Sequence, residues 1–148
     1  MDKEIIRNKK VYFDYEILEE FVAGMILTGP EIKSIRGGGI HLKSAYVGMS
    51  GGRIWLKKAN ISRYQYDSDA MYDPFRDREL LLKKRELNKI EASLNTEGVT
   101  MVPLSVFLQN RFAKVKIAVA RGKKAFDKRE KIKERSMKRD IQRVLKHY

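Results

Sequence analysis

The chain has 148 residues, 32 Lys/Arg against 19 Asp/Glu, and a formal net charge of +13. That length points to one domain able to bury a core, and that charge points to a polyanionic partner. The lack of cysteine excludes disulfides and thiolate zinc sites.

The mixed charges of Met1-Asp2-Lys3-Glu4 do not open a secretory signal, and the longest apolar run, Phe21–Leu27, is far short of a membrane span. A soluble, cytoplasmic protein is therefore expected. Val11–Ile17 is aromatic and β-branched enough to predict a first strand behind Asn8-Lys9-Lys10. Phe21–Leu27 predicts a second, with Gly24 marking a bulge or a close backbone approach. Thr28-Gly29-Pro30 turns the chain into a short helix over Glu31–Arg36, closed by a flexible exit at Gly37-Gly38-Gly39. Without a following Gly-Lys-Ser/Thr, those glycines are no phosphate loop.

Ala45–Met49 and Ile54–Leu56 predict a hairpin turning at Ser50-Gly51-Gly52, with Trp55 in the core. Tyr64–Pro74 is polar and turn-rich, hence a loop. Asp77 is placed to cap a helix that aligns Leu80, Leu87, Ile90 and Leu94 and stops at Asn95 and Gly98. Val102–Leu108 alternates, with Pro103 at an edge or a bulge. Gln109-Asn110 then turns into a last strand, where Val115, Ile117 and Val119 alternate with Lys114, Lys116 and Ala118. About six short strands with two helices predict a mainly β protein, a small closed barrel of oligonucleotide-binding type. Two parts follow: residues 1–121 form the β-barrel body, expected to meet the polyanion, and residues 122–148 a basic tail.

The tail carries eleven Lys/Arg against four Asp/Glu. Its Lys123–Arg135 part is almost all charge, whereas Met137, Ile141, Val144, Leu145 and Tyr148 make a narrow helical stripe. A segment without structure when free, becoming helical against a partner, fits both features.

Enzyme chemistry finds little footing. The only acidic cluster, Asp67, Asp69, Asp73 and Asp77, would have to converge on a cation to make a nuclease, and as a calcium loop it fails at Tyr72 and Arg78. Arg76 and Arg78 neutralise it locally, and a solvated loop is the plainer reading. His41 and His147 have no ligand cluster around them. No catalytic residue, metal or cofactor is expected. Tyr12, Phe13 and Tyr15 beside Lys9 and Lys10 do interleave aromatic and basic groups, as RNA loops require.

The order of segments resembles the SmpB family, the small protein B partners of transfer-messenger RNA (tmRNA). The matching pieces are Asn8-Lys9, Ala23-Gly24, the block Thr28-Gly29-Pro30-Glu31-Ile32-Lys33-Ser34-Ile35-Arg36, Ser44-Ala45-Tyr46-Val47 and Arg76 and Arg78 before Leu80-Leu81-Leu82. Val102-Pro103-Leu104, Ala113-Lys114-Val115-Lys116-Ile117 and Arg121-Gly122-Lys123-Lys124 with Asp127-Lys128-Arg129 complete the set.

The resemblance implies a non-enzymatic adaptor that binds the tRNA-like domain of tmRNA and supports its charging by alanyl-tRNA synthetase. With elongation factor Tu it would take the RNA to stalled ribosomes for trans-translation. The tail would occupy the empty mRNA channel and the small-subunit decoding centre. The implied tmRNA contacts are Asn8, Lys9, Tyr15, Leu81, Lys83, Lys114, Arg121, Lys123 and Lys124. The implied ribosome contacts are Phe126, Asp127, Lys128, Arg129, Val144 and Leu145. Two departures stand out: Val22 replaces an acidic residue usual before Ala-Gly, and Phe126 stands where His or Tyr is common. A ribosomal protein clamping RNA with a basic arm is the alternative for such a layout.

Overall fold

The computed structural model describes residues 2–123. Lys124, Phe126, Asp127, Lys128, Arg129, Val144 and Leu145 lie outside the described residues, as does most of the predicted tail.

The described chain is mainly β. Its order is β1 (Asp2–Arg7), α1 (Lys9–Asp14), β2 (Tyr15–Met25), α2 (Gly29–Arg36), β3 (Ile40–His41), β4 (Tyr46–Ser50), β5 (Arg53–Lys57) and β6 (Asn60–Ile61). After these come β7 (Arg78–Leu81), α3 (Lys84–Leu94), β8 (Val99–Gln109) and β9 (Phe112–Gly122). Antiparallel pairing runs β2–β9–β8–β4–β5–β7 and returns to β2, so the main sheet closes on itself. Closure leaves no open edge among these six strands. The short β1 pairs with the Ser105–Gln109 part of β8, beyond the Val47–Met101 pairing that joins β4 to β8. A separate two-stranded ribbon joins β3 and β6.

Inside the ring, Phe21, Ala23, Val47, Ile54, Leu56, Leu80, Met101, Val106, Val115 and Ile117 form the main core, and α2 and α3 add Ile35 and Ile90. A smaller core lies on the other face of β8 and β9, where Val11 of α1 meets Val102, Leu104, Ala118 and Ala120. With both faces covered there, Met101–Val106 and Ile117–Ala120 are buried without alternation.

Sequence and structure part at several places, among them β1 and the β3–β6 ribbon, which no strand signal predicts. The predicted strand Val11–Ile17 is α1 up to Asp14 and becomes strand only at Tyr15. Tertiary contact overrides β propensity here: Asn8 N–H donates to Leu104 O at 2.7 Å, and Val11 is drawn onto the outer core. The predicted cap at Asp77 is not a cap, because Arg78–Leu81 is β7, with Leu80 inside and Leu81 outside. The helix begins after Lys83, whose N–H is taken by Glu86 Oε1 at 3.1 Å. Trp55 is not in the core; Ile54 and Leu56 point inward, and Trp55 lies on the outer face with Nε1–H donating to Ser50 O.

Pro103 does sit at a bulge, since the β8–β9 register shifts between Pro103 and Ser105. Gly24 keeps regular register; the shift in β2 lies between Ile17 and Glu19. The glycine exit of α2 is tightly bonded, with Gly39 N–H donating to Ser34 O at 2.8 Å.

Candidate nucleic-acid interface

The predicted contacts fall into two groups at opposite ends of β2. Gly24, near its end, faces Leu81 of β7 on one side and Lys114 of β9 on the other. These three residues make one row across three strands on the outer wall. Leu81 is 55% exposed. Because Gly24 has no side chain, the Lys114 ammonium lies low over it: a Cβ built on Gly24 would stand 3.8 Å from Lys114 Nζ and 3.6 Å from Leu81 Cβ. Among the described residues Lys114 makes no ion pair, whereas the neighbouring Lys116 is paired with Glu20 at 3.8 Å. Lys83, exposed, follows two residues after Leu81. The row therefore offers a flat apolar surface and uncommitted positive charge, which suits a base or sugar beside a phosphate.

Val22 is exposed on the same wall, opposite Lys116 in register, and contributes no charge. The nearest carboxylate along this face of β2 is Glu20, two residues back, already engaged with Lys116.

The second group gathers where β2 begins. Tyr15 pairs with Gly122, and Glu16 with Arg121. Lys123 continues past β9 and is tied back to the body, its N–H donating to Asp14 O at 2.9 Å and its Nζ to Tyr12 O at 3.3 Å. Asn8 is anchored by its Nδ2 to Pro103 O at 3.3 Å. Asn8, Lys9 and Tyr15 line one open groove of about 550 Å³, with Lys10, Lys43 and Tyr46 along its walls. Tyr15 and Gly24 are nine residues apart, so at a strand rise of about 3.3 Å the two groups are separated by roughly 30 Å. One small ligand cannot touch both; an extended RNA surface can.

A buried charged network that sequence reasoning missed holds the intervening loops. Glu31, 1% exposed, receives Arg78 Nη2 at 2.7 Å and Nε at 3.0 Å, Arg76 Nε at 3.1 Å, a further bond from Arg76 Nη2, and the Tyr72 hydroxyl at 3.1 Å. It also completes a capping box with Thr28 at the start of α2. Arg76 and Arg78 do not neutralise the aspartates of the loop, as their place in the sequence suggests; they serve Glu31 instead. Burial alone would raise the Glu31 pKa, but hydrogen bonds from Arg76, Thr28 N–H and Arg78 outweigh it and hold it at about 2. Burial pushes the Tyr72 phenol up to about 12, so it stays a donor. The sequence carried half of this signal, Thr28 three residues before Glu31; the arginine partners lie more than forty residues away.

The aspartates have their own tasks. Asp67, Asp69 and Asp73 each accept a backbone N–H two residues on, from Asp69, Met71 and Phe75, all at 2.9 Å. Asx turns thus shape the loop that carries Tyr64, Tyr66 and Phe75. Among the described residues no cluster of His, Cys, Asp or Glu is arranged to hold a metal ion, and no helix is long and apolar enough to cross a membrane.

Comparison with known proteins gives a consistent result. A family model described as SmpB protein matches residues 5–147. The SsrA-binding protein of Streptococcus mutans is 47% identical over 144 residues, covering 97% of this chain and 93% of its own. That of Ligilactobacillus salivarius is 44% identical over 147 residues, covering 99% and 95%. A solved structure described as "tmRNA-SmpB: a journey to the center of the bacterial ribosome" contains a chain 39% identical to this one. It superposes with a TM-score of 0.67 over 81% of this chain and 85% of that chain.

Proposed function

The chain belongs to the SmpB family, and from that membership we propose that it binds the tRNA-like domain of tmRNA and brings it to stalled ribosomes for trans-translation. The body grips the RNA and makes or breaks no bond. The Leu81–Gly24–Lys114 row carries this reading: a glycine that lets a lysine lie flat beside an exposed leucine, on a wall with no competing carboxylate partner for that lysine among the described residues. Asn8, Lys9, Tyr15, Arg121 and Lys123 extend the contact at the other end of β2.

Residues 122–148 then supply the ribosome-engaging part, with Phe126, Asp127, Lys128, Arg129, Val144 and Leu145 as its contacts, while Lys124 continues the tmRNA-binding surface of Arg121 and Lys123. In this reading they stand in the empty mRNA channel and decoding centre. Dense positive charge suits a segment running between RNA walls, because counterion release favours its entry. Held by the body, the RNA is presented to alanyl-tRNA synthetase and to elongation factor Tu.

The test is a salt titration of binding to the tRNA-like domain of tmRNA. Affinity should fall steeply and linearly on a log–log plot against salt, and exceed that for unrelated hairpins at every point. A flat response, or equal affinity for any hairpin, would sink the proposal.

A further inference from the structure

Beside the Asn8–Lys9–Tyr15 groove is a second cleft of about 610 Å³, lined by His41, Lys43, Ser44, Lys58, Asn60 and Phe75. His41, Lys43 and Ser44 line both, so the two share a wall. The volume is that of clefts which take small ligands, about 300–1,000 Å³.

Three observations show that its walls are held in place. His41 pairs with Asn60 across the β3–β6 ribbon, fixing one wall against the next. Arg78, 0% exposed, donates Nη1 to Ala59 O at 2.7 Å and to Pro74 O at 3.0 Å, and Ile61 N–H donates to Pro74 O at 3.0 Å. The residues next to those carbonyls are Lys58, Asn60 and Phe75, so the buried arginine ties both sides of the cleft to one point. Third, Ser44 (φ 66°) and Lys58 (φ 58°) both hold left-handed backbone. The other non-glycine residue in that region among those described, Asn110, sits in the β8–β9 turn, where asparagine adopts it readily. Unfavourable backbone collected at one cleft is a mark of functional positioning.

The lining has the chemistry of a nucleotide seat. Phe75 is 53% exposed although its backbone is fixed by Asp73. Lys43 and Lys58 are exposed and make no ion pair among the described residues, and the Lys58 ammonium lies 6.0 Å from the Tyr46 ring centroid at the rim of the neighbouring groove. Among the described residues no carboxylate lines the cleft.

We propose that this cleft seats one unpaired nucleotide of the same RNA that runs along the Asn8–Lys9–Tyr15 groove. Its base stacks on Phe75, and its flanking phosphates are held by Lys43 and Lys58. Continuity through the shared wall selects the occupant, and the inference rests on the tmRNA reading above. Aromatic stacking tolerates any base, so the seat contributes affinity and register more than sequence preference.

Full-length protein carrying Phe75→Leu, and separately Lys43→Gln with Lys58→Asn, should be titrated with the tRNA-like domain of tmRNA over a range of salt. Asparagine is chosen at Lys58 because it accepts left-handed backbone. Phe75→Leu should weaken binding at least about fivefold with an unchanged salt slope. The double lysine variant should lower the slope by about 1.5. A photoreactive phenylalanine at position 75 should crosslink to tmRNA in the binary complex. Wild-type binding with both variants indistinguishable from it, or no crosslink from position 75 to tmRNA in that binary complex, overturns the seat and leaves the function standing. Failure of the wild type to bind tmRNA selectively overturns both.

Discussion

Arg78 and Glu31, 47 residues apart in sequence, meet through two hydrogen bonds of 2.7 and 3.0 Å with both side chains shut away from water. The contact joins the start of α2 to β7 and, through the Arg78 bonds to Ala59 and Pro74, to the link between β5 and β6 and to the loop before β7. A buried pair of this kind is weak evidence of net stabilisation, since desolvation offsets much of the attraction. Removing one partner is another matter.

Arg78→Ala should therefore cost about 3–5 kcal/mol, read by urea unfolding, because it leaves the buried Glu31 carboxylate with the half-buried Arg76 as its remaining charged partner and removes the bonds to Ala59 O and Pro74 O. The pH dependence has a defined sign. Glu31 has its pKa depressed from 4.5 to about 2 on folding. Its contribution is thus complete above about pH 4.5 and is lost as pH falls towards 2. Between pH 6 and pH 3 the loss from this group is about 2 kcal/mol. Urea unfolding of wild type and Glu31→Gln at both pH values isolates it: the wild type should lose more stability on acidification by that margin. Parallel losses would show that Glu31 does not titrate as the network requires.

Gly39 is sterically obligatory and Gly29 is not. A Cβ on Gly39 would stand only 2.4 Å from Ser34 Oγ and 2.9 Å from Ser34 O, while one on Gly29 meets nothing within 4 Å. Gly39→Ala should cost about 1–3 kcal/mol as the α2 exit is forced apart, visible as a lower melting temperature. Gly29→Ala, in the first turn of α2, should be neutral or stabilise by up to about 1 kcal/mol. Equal effects at the two positions would contradict the close approach.

The hairpins were legible because their signals are local. The alternation of Val115 and Ile117 with Lys114 and Lys116, and the turn glycines Gly51 and Gly52 (φ 63° and 75°), specify strand and turn within a few residues. Val11 and Arg78 depart from their local signals because their conformations are set from elsewhere. Val11 is helical because an outer core waits for it on β8 and β9, and Arg78 is in a strand because Trp55 and Leu56 pair with Glu79 and Arg78. For the interface, Leu81 came from resemblance alone, whereas Lys114 also stands out locally as a basic residue on the polar side of an alternating strand. That Gly24 lies between them is a fact of strand order, which no spacing in the chain expresses.

On the Leu81–Gly24–Lys114 row, charge and flatness can be separated. Lys114→Gln should weaken tmRNA binding and lower the salt slope by about 1, as expected for one phosphate contact. Gly24→Leu should weaken binding as well, by displacing the Lys114 side chain and roughening the floor. Gly24→Ala should be tolerated, since its Cβ would make only ordinary contacts at 3.6 and 3.8 Å. Gel-shift titrations of the three, with melting curves to establish folding, decide the matter. If Gly24→Leu binds like wild type, the RNA does not rest on this row.

Separating the body from the tail tests the proposed division of labour. The last tie to the body among the described residues is Lys123, bonded to Asp14 and Tyr12. Ending the chain there removes residues 124–148 and leaves the β2–β9 pairing intact. If the body alone grips tmRNA, the shortened protein should bind it within about threefold of the full chain at moderate salt; its salt slope drops only by the tail phosphates no longer met. Tagging of peptides on ribosomes stalled without a stop codon should nevertheless be abolished, because nothing would occupy the vacant channel. Adding bound tmRNA in excess would not restore it, since the defect lies after RNA binding. Full tagging by the shortened protein would show that the body suffices and that residues 124–148 do not read the channel.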